Sequence, residues 1–182
     1  MRNFEDLVKL FSRICKKLKI PYVIVGGVAV SAWGNIRTTR DIDVILDIKP
    51  EKIKEFVKEI KKNHLKINEE DILNSLKEKS HFTIFDKRST FYIDGKGIYN
   101  KNDFQTIKNR KKIEFEKNTI YINSPEDLIA NKLFFGSEQD LKDVEGIMMR
   151  QKKRLNMKKL KKRCKELKVY DKLIALIEKK SE

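Results

Sequence analysis

Apolar positions in the first half of the chain recur at the spacings of alternating helices and strands. Residues 3–18 carry an apolar side chain every three or four positions, which predicts an amphipathic helix. Residues 22–25 and 41–47 are short apolar or alternating segments, which predicts two buried strands. The elements predicted up to residue 94 are helix 3–18, strand 22–25, helix 28–33, strand 41–47, helix 50–62, a short strand in 64–68, helix 69–79, and hairpin strands 81–85 and 90–94.

The second half of the chain replaces this alternation with helices. A strand pair at 112–115 and 119–122 precedes Ser124-Pro125-Glu126-Asp127, which combines an N-cap serine with a first-turn proline and acids. The helices predicted after this start are 125–135, 138–150, 156–167 and 170–180. The order of elements predicts an α/β (α+β) fold, with a mixed sheet flanked by helices and a helical C-terminal part. We expect a sheet domain at 1–123 and a helical region at 124–182 packed on it.

Composition narrows the class of protein. The chain has 182 residues, of which 40% are hydrophobic and 38% are charged, enough apolar content for a folded core. No apolar run reaches the roughly 18 residues of a membrane span, and the acidic residues of the N-terminal segment do not suit an export signal. Cys15 and Cys164 form neither a disulfide framework nor a metal motif. We therefore expect a reduced, cytoplasmic protein with no membrane partner.

Positive charge is concentrated at the C-terminus. The chain carries a net charge of +15, and residues 150–182, with 14 Lys or Arg and four Asp or Glu, account for +10 of it. Such asymmetry favours a polyanionic partner. The alternative is a solvated lysine face on a terminal helix.

Two aspartates stand out between residues 25 and 47, in the segment VGGVAVSAWGNIRTTRDIDVILD. Asp41 and Asp43 are two positions apart on a predicted strand, so their side chains point to the same face. Adjacent carboxylates repel each other unless a cation lies between them. Mg²⁺ suits such a site because it prefers oxygen ligands and shares them with phosphates. The alternative is an aspartate that makes turn hydrogen bonds beside a second one that is merely exposed.

The glycine pair Gly26-Gly27 lies between a predicted strand and a predicted helix. Glycine lets a backbone approach a ligand closely, and a helix N-terminus attracts anions. Close packing of the strand against the helix would explain the pair equally well. The segment is neither a GxGxxG fingerprint nor a P-loop, which disfavours a dinucleotide fold and a P-loop NTPase.

Taken together, these motifs resemble a known superfamily. The pattern GGxAxxxxGxxRxTxDIDxxxD, complete here from Gly26 to Asp47, is similar to that of the DNA polymerase β-like nucleotidyltransferases. It resembles in particular the minimal nucleotidyltransferases around AbiEii-type toxins. The resemblance implies that an NTP donates its nucleoside monophosphate to a hydroxyl group. It also implies that Asp41 and Asp43 hold two Mg²⁺ ions.

The same resemblance assigns roles to the residues around the aspartates. Gly26 and Gly27 would hold the triphosphate, and Arg37 and Thr39 match the family pattern beside it. Arg40 lies outside that pattern but could also steady the triphosphate. The sequence thus predicts a nucleotide-binding loop that ends at the metal-binding strand.

The family also uses a third carboxylate on a neighbouring strand. Asp94, after the second hairpin strand, is the preferred candidate, and Asp86, in the hairpin turn, is its rival. Gly95, Lys96 and Gly97 follow Asp94 where relatives carry apolar residues. One interpretation is that this strand ends early and leaves the third ligand poorly placed.

Downstream, the segment from Ser124 to Lys132 resembles the helix that follows the catalytic sheet in the family. Lys132 matches a common lysine that would neutralise triphosphate charge, although a solvent-facing lysine is the alternative. Lys142 and Asp143 resemble a Lys-Asp segment that faces the site in the family.

Three classes of function follow from these features. The first is an enzyme that modifies RNA, such as tRNA bound by basic residues 152–168, or a partner protein such as a cognate toxin or antitoxin. The second is a small-molecule nucleotidyltransferase of the antibiotic-modifying type. The third is a nucleotide- or RNA-binding module with a decayed catalytic centre, which the presence of both Asp41 and Asp43 disfavours.

Overall fold

The computed structural model describes residues 1–178, which form one mixed sheet of seven strands flanked by nine helices. The strands are β1 Tyr22–Ile24, β2 Asp41–Leu46, β3 Leu65–Lys66, β4 His81–Asp86, β5 Tyr92–Lys96, β6 Lys111–Phe115 and β7 Asn118–Ile122. The helices are α1 Phe4–Lys17, α2 Gly26–Trp33, α3 Pro50–Lys62, α4 Glu69–Glu78, α5 Lys101–Lys108, α6 Pro125–Phe135, α7 Glu138–Gln151, α8 Met157–Glu166 and α9 Tyr170–Glu178.

The sheet places the two predicted carboxylate strands side by side at its centre. Its strand order is β3-β4-β5-β2-β1-β7-β6. Strands β2 and β5 run parallel, as do β1 and β7, and the other neighbours are antiparallel. In the β2–β5 register Asp43 lies opposite Asp94. The crossover from β2 to β5 therefore brings together two residues that are distant in the sequence.

The core is built by the apolar faces that the sequence pattern predicted. Helix α1 begins after the N-cap Asn3 and buries Leu7, Phe11 and Ile14 against the sheet. Helix α6 is buried along most of its length and contacts both α7 and α8. The C-terminal helices therefore pack around a central helix, while the division at residue 123 stays a prediction.

Most predicted elements are confirmed to within one or two residues, one helix was missed, and one expectation is wrong. Helix α5 was not predicted, although Asn100 caps it by accepting a hydrogen bond from the Asp103 backbone N–H. Strand β5 does not end early but continues through Lys96. It continues because Gly95 and Lys96 pair with Val44 and Ile45 of β2. The glycine leaves room for the Phe82 ring, since a Cβ atom there would lie 2.5 Å from Phe82 Cε2.

Two further predictions concern the chain end and the membrane. Helix α9 begins at Tyr170 as predicted, and residues 179–180 of the predicted helix 170–180 lie outside the described residues. Within residues 1–178, none of the helices has the length and apolar character needed to cross a bilayer.

Candidate active site

A cleft of about 450 Å³ opens between the sheet and helices α5 and α6. Asp43 and Asp94 line it from the sheet, together with Gly26 at the start of α2. Helix α5 contributes polar residues to the opposite wall, and α6 contributes Lys132 among others. Two of the three sequence-predicted carboxylates, Asp43 and Asp94, therefore lie in a concave site that also holds a cationic side chain.

The carboxylate of Asp43 lies in an electrostatically unfavourable position. Burial, followed by the charges of Asp41 and Asp94, raises the pKa of Asp43 to about 6. The backbone N–H of Gly27 and the imidazole of His81 act in the opposite direction but do not compensate. A cation bound between these carboxylates would remove the repulsion.

The carboxylates fit a divalent cation in donor type. Asp41, the first residue of β2, accepts a hydrogen bond from the Thr39 hydroxyl and does not line the cleft as Asp43 and Asp94 do. In the described part of the chain, no three Asp, Glu, His or Cys side chains already form a closed ligand cluster. Mg²⁺ does not require one, since it usually keeps several waters and takes one or two protein carboxylates. Asp43 and Asp94 supply two such oxygen donors, and Asp41 adds a third from the same strand face.

Position 26 requires a glycine for two reasons, namely its backbone conformation and the lack of room for a side chain. Its φ of +59° lies in the left-handed region, and a Cβ atom there would lie 1.8 Å from Asp43 Oδ2. Gly27 is less constrained, since a Cβ atom would lie 3.2 Å from the Cβ of Thr39. The first glycine therefore lets the N-terminus of α2 approach the Asp43 carboxylate.

Asp86, the rival third carboxylate, has a structural role at the other end of β4. Its side chain is fully buried and pairs with Arg2, whose Nη1 lies 2.7 Å from Asp86 Oδ1. It also accepts hydrogen bonds from the Arg88 backbone N–H and from the Ser89 hydroxyl in the hairpin turn. Asp94 is the carboxylate that adjoins Asp43.

Lys132 is buried beside the cleft and is not a solvent-facing lysine. Its Nζ lies 2.6 Å from Asp140 Oδ1 and 2.8 Å from Asp143 Oδ2. Arg37 Nη1 lies 2.7 Å from the same Asp143 oxygen, so Arg37 is tied to α7 and does not line the cleft. Asp143 thus couples the predicted phosphate-binding loop to α6.

Two other predicted residues lie outside this arrangement. Lys142 is exposed on α7, where its Nζ lies 2.5 Å from Glu138 Oε1, so the prediction that it faces the site is wrong. Arg40 is exposed before β2 and does not line the cleft.

Sequence analysis missed His81. Its Nδ1 lies 3.1 Å from Asp94 Oδ2 at the cleft mouth, because β4 pairs with β5. Only the strand register reveals this contact, since a single histidine carries no local signal.

The polar wall of the cleft was also missed because it depends on α5. Asn102 Nδ2 donates to Asn131 Oδ1 over 2.6 Å, and Asn131 in turn contacts Thr106. Asn123, which is only 1% exposed, lines the cleft at the end of β7. Its Oδ1 has no hydrogen-bond partner within residues 1–178. A buried polar atom without a partner is costly, and a bound ligand could satisfy it.

Helix α8 differs from its sequence interpretation at two positions, Arg163 and Lys159, and the half-buried Lys159 Nζ lies 3.5 Å from Asp127 Oδ2. Arg163 was expected on the exposed basic surface, but it is 4% exposed and its Nε lies 2.5 Å from Asp127 Oδ1. Its Nη2 donates to Asn102 Oδ1 over 2.6 Å, so α8 supports the cleft wall. Exposed basic residues still cover the rest of segment 152–168, namely Lys152, Lys153, Arg154, Lys158, Lys161, Lys162, Lys165 and Lys168.

The chain has a mixed sheet with two carboxylates on adjacent strands and a glycine beside them at a helix N-terminus. This arrangement places the chain among proteins with a nucleotidyltransferase fold. Its sequence matches the model of the family described as "Nucleotidyltransferase of unknown function (DUF6036)" over residues 2–175, and the chain belongs to this family. No curated protein sequence matches it.

Three solved structures are similar to the chain. An antigenic nucleotidyltransferase-like protein from Paracoccidioides brasiliensis is 14% identical, with a TM-score of 0.54 over 90% of this chain and 86% of that one. The lincosamide antibiotic adenylyltransferase LnuA, lincomycin-bound, is 16% identical, with a TM-score of 0.53 over 80% and 96%. ANT(2")-Ia in complex with adenylyl-2"-tobramycin is 10% identical, with a TM-score of 0.54 over 89% and 94%. At these identities the similarity establishes a shared fold.

Proposed function

We propose that the protein transfers a nucleoside monophosphate from an NTP to a hydroxyl group in a Mg²⁺-dependent reaction. The observation that carries the proposal is the register of Asp43 and Asp94 on parallel strands in the cleft, beside Gly26. The raised pKa of Asp43 supports it, since the side chains around this carboxylate leave its charge uncompensated.

Asp41, Asp43 and Asp94 would hold the metal. When bound, Mg²⁺ supplies charge neutralisation of the triphosphate and lowers the pKa of the acceptor hydroxyl. Asp94, which contacts His81, lies at the cleft mouth, where an acceptor would enter. In the proposed reaction the acceptor oxygen forms a bond to the α-phosphorus, and the bond to the pyrophosphate leaving group breaks.

Residues at the start of α2 and on α6 would position the triphosphate. Gly26 and Gly27 lie at the N-terminus of α2, whose partial positive charge favours an anion, and the Gly27 N–H itself is already hydrogen-bonded to Asp43. Lys132 has three N–H donors, of which Asp140 and Asp143 take two, leaving one for a phosphate oxygen. Thr39 would act through its hydrogen bond to Asp41, and Arg37 through its ion pair with Asp143.

RNA or a partner protein is the favoured acceptor. The exposed lysines of α8 support RNA, since phosphate contacts provide affinity independent of sequence. The sequence resemblance to the group around AbiEii-type toxins supports a toxin or antitoxin role. The second candidate is a small-molecule acceptor, which the cleft volume of about 450 Å³ and its amide-lined wall favour.

A transfer assay tests the proposal and separates the acceptors. Each labelled NTP is incubated with the full chain and Mg²⁺ or EDTA, together with total tRNA, a purified protein mixture, or a panel of aminoglycosides and lincosamides. We expect Mg²⁺-dependent label on tRNA or on a protein. Label on an antibiotic would favour the second candidate, and no transfer to any acceptor would count against the enzyme.

The role of α8 is tested separately by RNA binding. Changing Lys158, Lys161, Lys162 and Lys165 together to Gln should lower the salt slope of tRNA affinity by about 3, at roughly 0.7 per phosphate contact. The matched control changes four exposed lysines of α3 (Lys54, Lys58, Lys61 and Lys62) to Gln. NTP binding should stay unchanged in both. Equal slopes in the two variants would favour a solvated lysine face.

A further inference from the structure

A second pocket, of about 300 Å³, lies between the C-terminal end of α1 and the β6–β7 hairpin. It shares no lining residue with the catalytic cleft. Four of its lining residues are cationic, namely Lys16, Lys19, Arg110 and Lys112, and none is acidic. No ion pair to any of these four is present among the described residues, so their positive charge is uncompensated.

Arg110 differs from the other arginines that are at least half-buried. Arg2, Arg37 and Arg163 each form an ion pair with an aspartate, at 2.7, 2.7 and 2.5 Å respectively. Arg110 has no carboxylate partner within residues 1–178, and its Nε is buried without a hydrogen-bond acceptor. Partly burying an arginine without an anion is unfavourable, so an anion bound in this pocket would stabilise Arg110.

The guanidinium of Arg110 is nevertheless held in a fixed orientation. Its carbon lies 4.8 Å from the centre of the Tyr121 ring, and Nη1 donates to the Ile107 carbonyl over 2.7 Å. A fixed guanidinium loses little conformational entropy when it binds a phosphate oxygen. This order distinguishes Arg110 from the exposed lysines around it.

Each lysine taken alone has another explanation. Lys112 lies on β6, an edge strand of the sheet, and lysines on edge strands oppose aggregation. Lys16 lies in the last turn of α1, where a cation complements the helix dipole. Neither effect explains why α1, the following loop and β6 direct cations into one pocket around an ordered arginine.

We propose that this pocket binds a phosphate group of an RNA strand. Its chemistry would suit any phosphate, and one feature favours RNA over a free ion. Four cations exceed the charge of a single phosphate, and Lys16, Lys19 and Lys112 are exposed, so successive phosphates of one strand can reach them.

Binding of fluorescein-labelled single-stranded RNA of mixed sequence, followed by anisotropy over a salt series, tests the proposal. The variant Lys16→Gln/Lys112→Gln changes two exposed residues and should fold normally. Its RNA affinity should fall about tenfold at 0.1 M salt, and the salt slope should fall by about 1.4. The matched control Lys54→Gln/Lys58→Gln on α3 carries the same change in charge and should bind as the wild type does. If both double variants bind RNA equally, the proposal is wrong.

A second variant and a second ligand isolate Arg110 and the source of the phosphate. Arg110→Gln, verified as folded by circular dichroism, should weaken RNA binding at least as much as the lysine double variant. Inorganic phosphate should raise the Tm of the wild type by less than the RNA does, and the gain should shrink in Lys16→Gln/Lys112→Gln, which lacks two of the four cations. If phosphate stabilises only the wild type while RNA binds all variants alike, the pocket is a free-phosphate site and the RNA proposal is overturned. Both measurements use binding alone, so their outcome is independent of nucleotidyl transfer.

Discussion

Asp43 and Asp127 are two carboxylates that are largely removed from solvent, but one lies among other acids and the other among hydrogen-bond donors. Asp127, at the start of α6, is fully buried and contacts Arg163 Nε at 2.5 Å, Ser124 Oγ at 2.6 Å and Asn109 Nδ2 at 3.2 Å. Asp43 lies beside two other carboxylates, and no ion pair to it is present in the described chain. The charge of Asp127 is therefore compensated by its protein partners, whereas the charge of Asp43 is available to a ligand.

The difference separates a structural carboxylate from a functional one. A buried ion pair with all its hydrogen bonds made is strongly destabilised when one partner is removed. Neighbouring carboxylates without a cation oppose folding, and a protein retains such an arrangement where a ligand or a reaction requires it. The two sites should therefore respond in opposite ways when their charge is removed.

The largest expected effect is on activity at Asp43. Asp43→Asn keeps the side-chain shape but removes the charge proposed to hold Mg²⁺, and we expect nucleotidyl transfer to fall at least about 10³-fold, or about 4 kcal/mol. Initial rates at saturating NTP and Mg²⁺ measure this loss. Asp71→Asn, at an exposed position on α4, is the matched control and should retain full activity. Equal rates in both variants would contradict the assignment of Asp43.

The next effect is on stability at the Asp127 site. Arg163→Ala removes the nearer of the two cations beside buried Asp127, leaving Lys159 Nζ at 3.5 Å, and should lower the free energy of unfolding by about 3 kcal/mol. Urea denaturation measures this change, with Arg154→Ala at an exposed position as the control. Because Arg163 also binds Asn102 in the cleft wall, the KM for NTP or acceptor should rise in the folded fraction. Equal stability of the two variants would mean that Asp127 does not depend on Arg163.

A smaller effect, of the opposite sign, is expected for the metal-free protein at Asp43. The pKa of Asp43 in the folded chain is about 6, above its ordinary value of 3.8, so the folded state binds this proton more tightly than the unfolded state. The stability from this proton is fully present below pH 4 and is lost as the pH rises through 6. Asp43→Asn should therefore match the wild type near pH 4 and be about 2 kcal/mol more stable at pH 8.

Denaturation in EDTA at both pH values measures this difference. Adding Mg²⁺ with NTP at pH 8 should then raise the Tm of the wild type and leave that of Asp43→Asn unchanged. Asp127→Asn should be less stable than the wild type at pH 8, which is the reverse of Asp43→Asn. A wild type that is more stable than Asp43→Asn in EDTA at pH 8 would show that the carboxylate cluster does not oppose folding.

Local sequence patterns explain why Asp43 was predicted as a site residue, whereas Arg163, the partner of Asp127, was not recognised as buried. Asp43 lies on a short alternating strand after a glycine pair, and both signals are local. Arg163 was assigned to the surface by its chemistry, although it lies three residues after Leu160 and next to Cys164, on the stripe that α8 buries. Its carboxylate partner is on another helix, so only the fold reveals why a charged residue occupies that stripe.

The same limit applies to the cleft wall. Helix α5 carries few apolar residues, and one of them, Phe104, is 52% exposed, so its hydrophobic pattern was weak. The Asn100–Asp103 cap was the signal that could have located it. The contact of His81 with Asp94 follows from the β4–β5 register, which no local pattern encodes. Elements were thus predictable from periodicity, whereas contacts between distant elements required the structure.

The smallest expected effect distinguishes the two adjacent glycines, which the sequence pattern treats as one motif. Gly26→Ala combines a left-handed backbone with a Cβ atom 1.8 Å from Asp43 Oδ2, so it should cost about 1–2 kcal/mol of stability and displace the carboxylate. Gly27→Ala needs only a small shift of Thr39, and the helix propensity of alanine offsets that strain by up to about 1 kcal/mol. Stability and Mg²⁺-dependent NTP binding should therefore fall in Gly26→Ala and stay near the wild type in Gly27→Ala. If Gly27→Ala loses NTP binding while its stability is unchanged, the backbone at Gly27 must approach the phosphate more closely than that at Gly26.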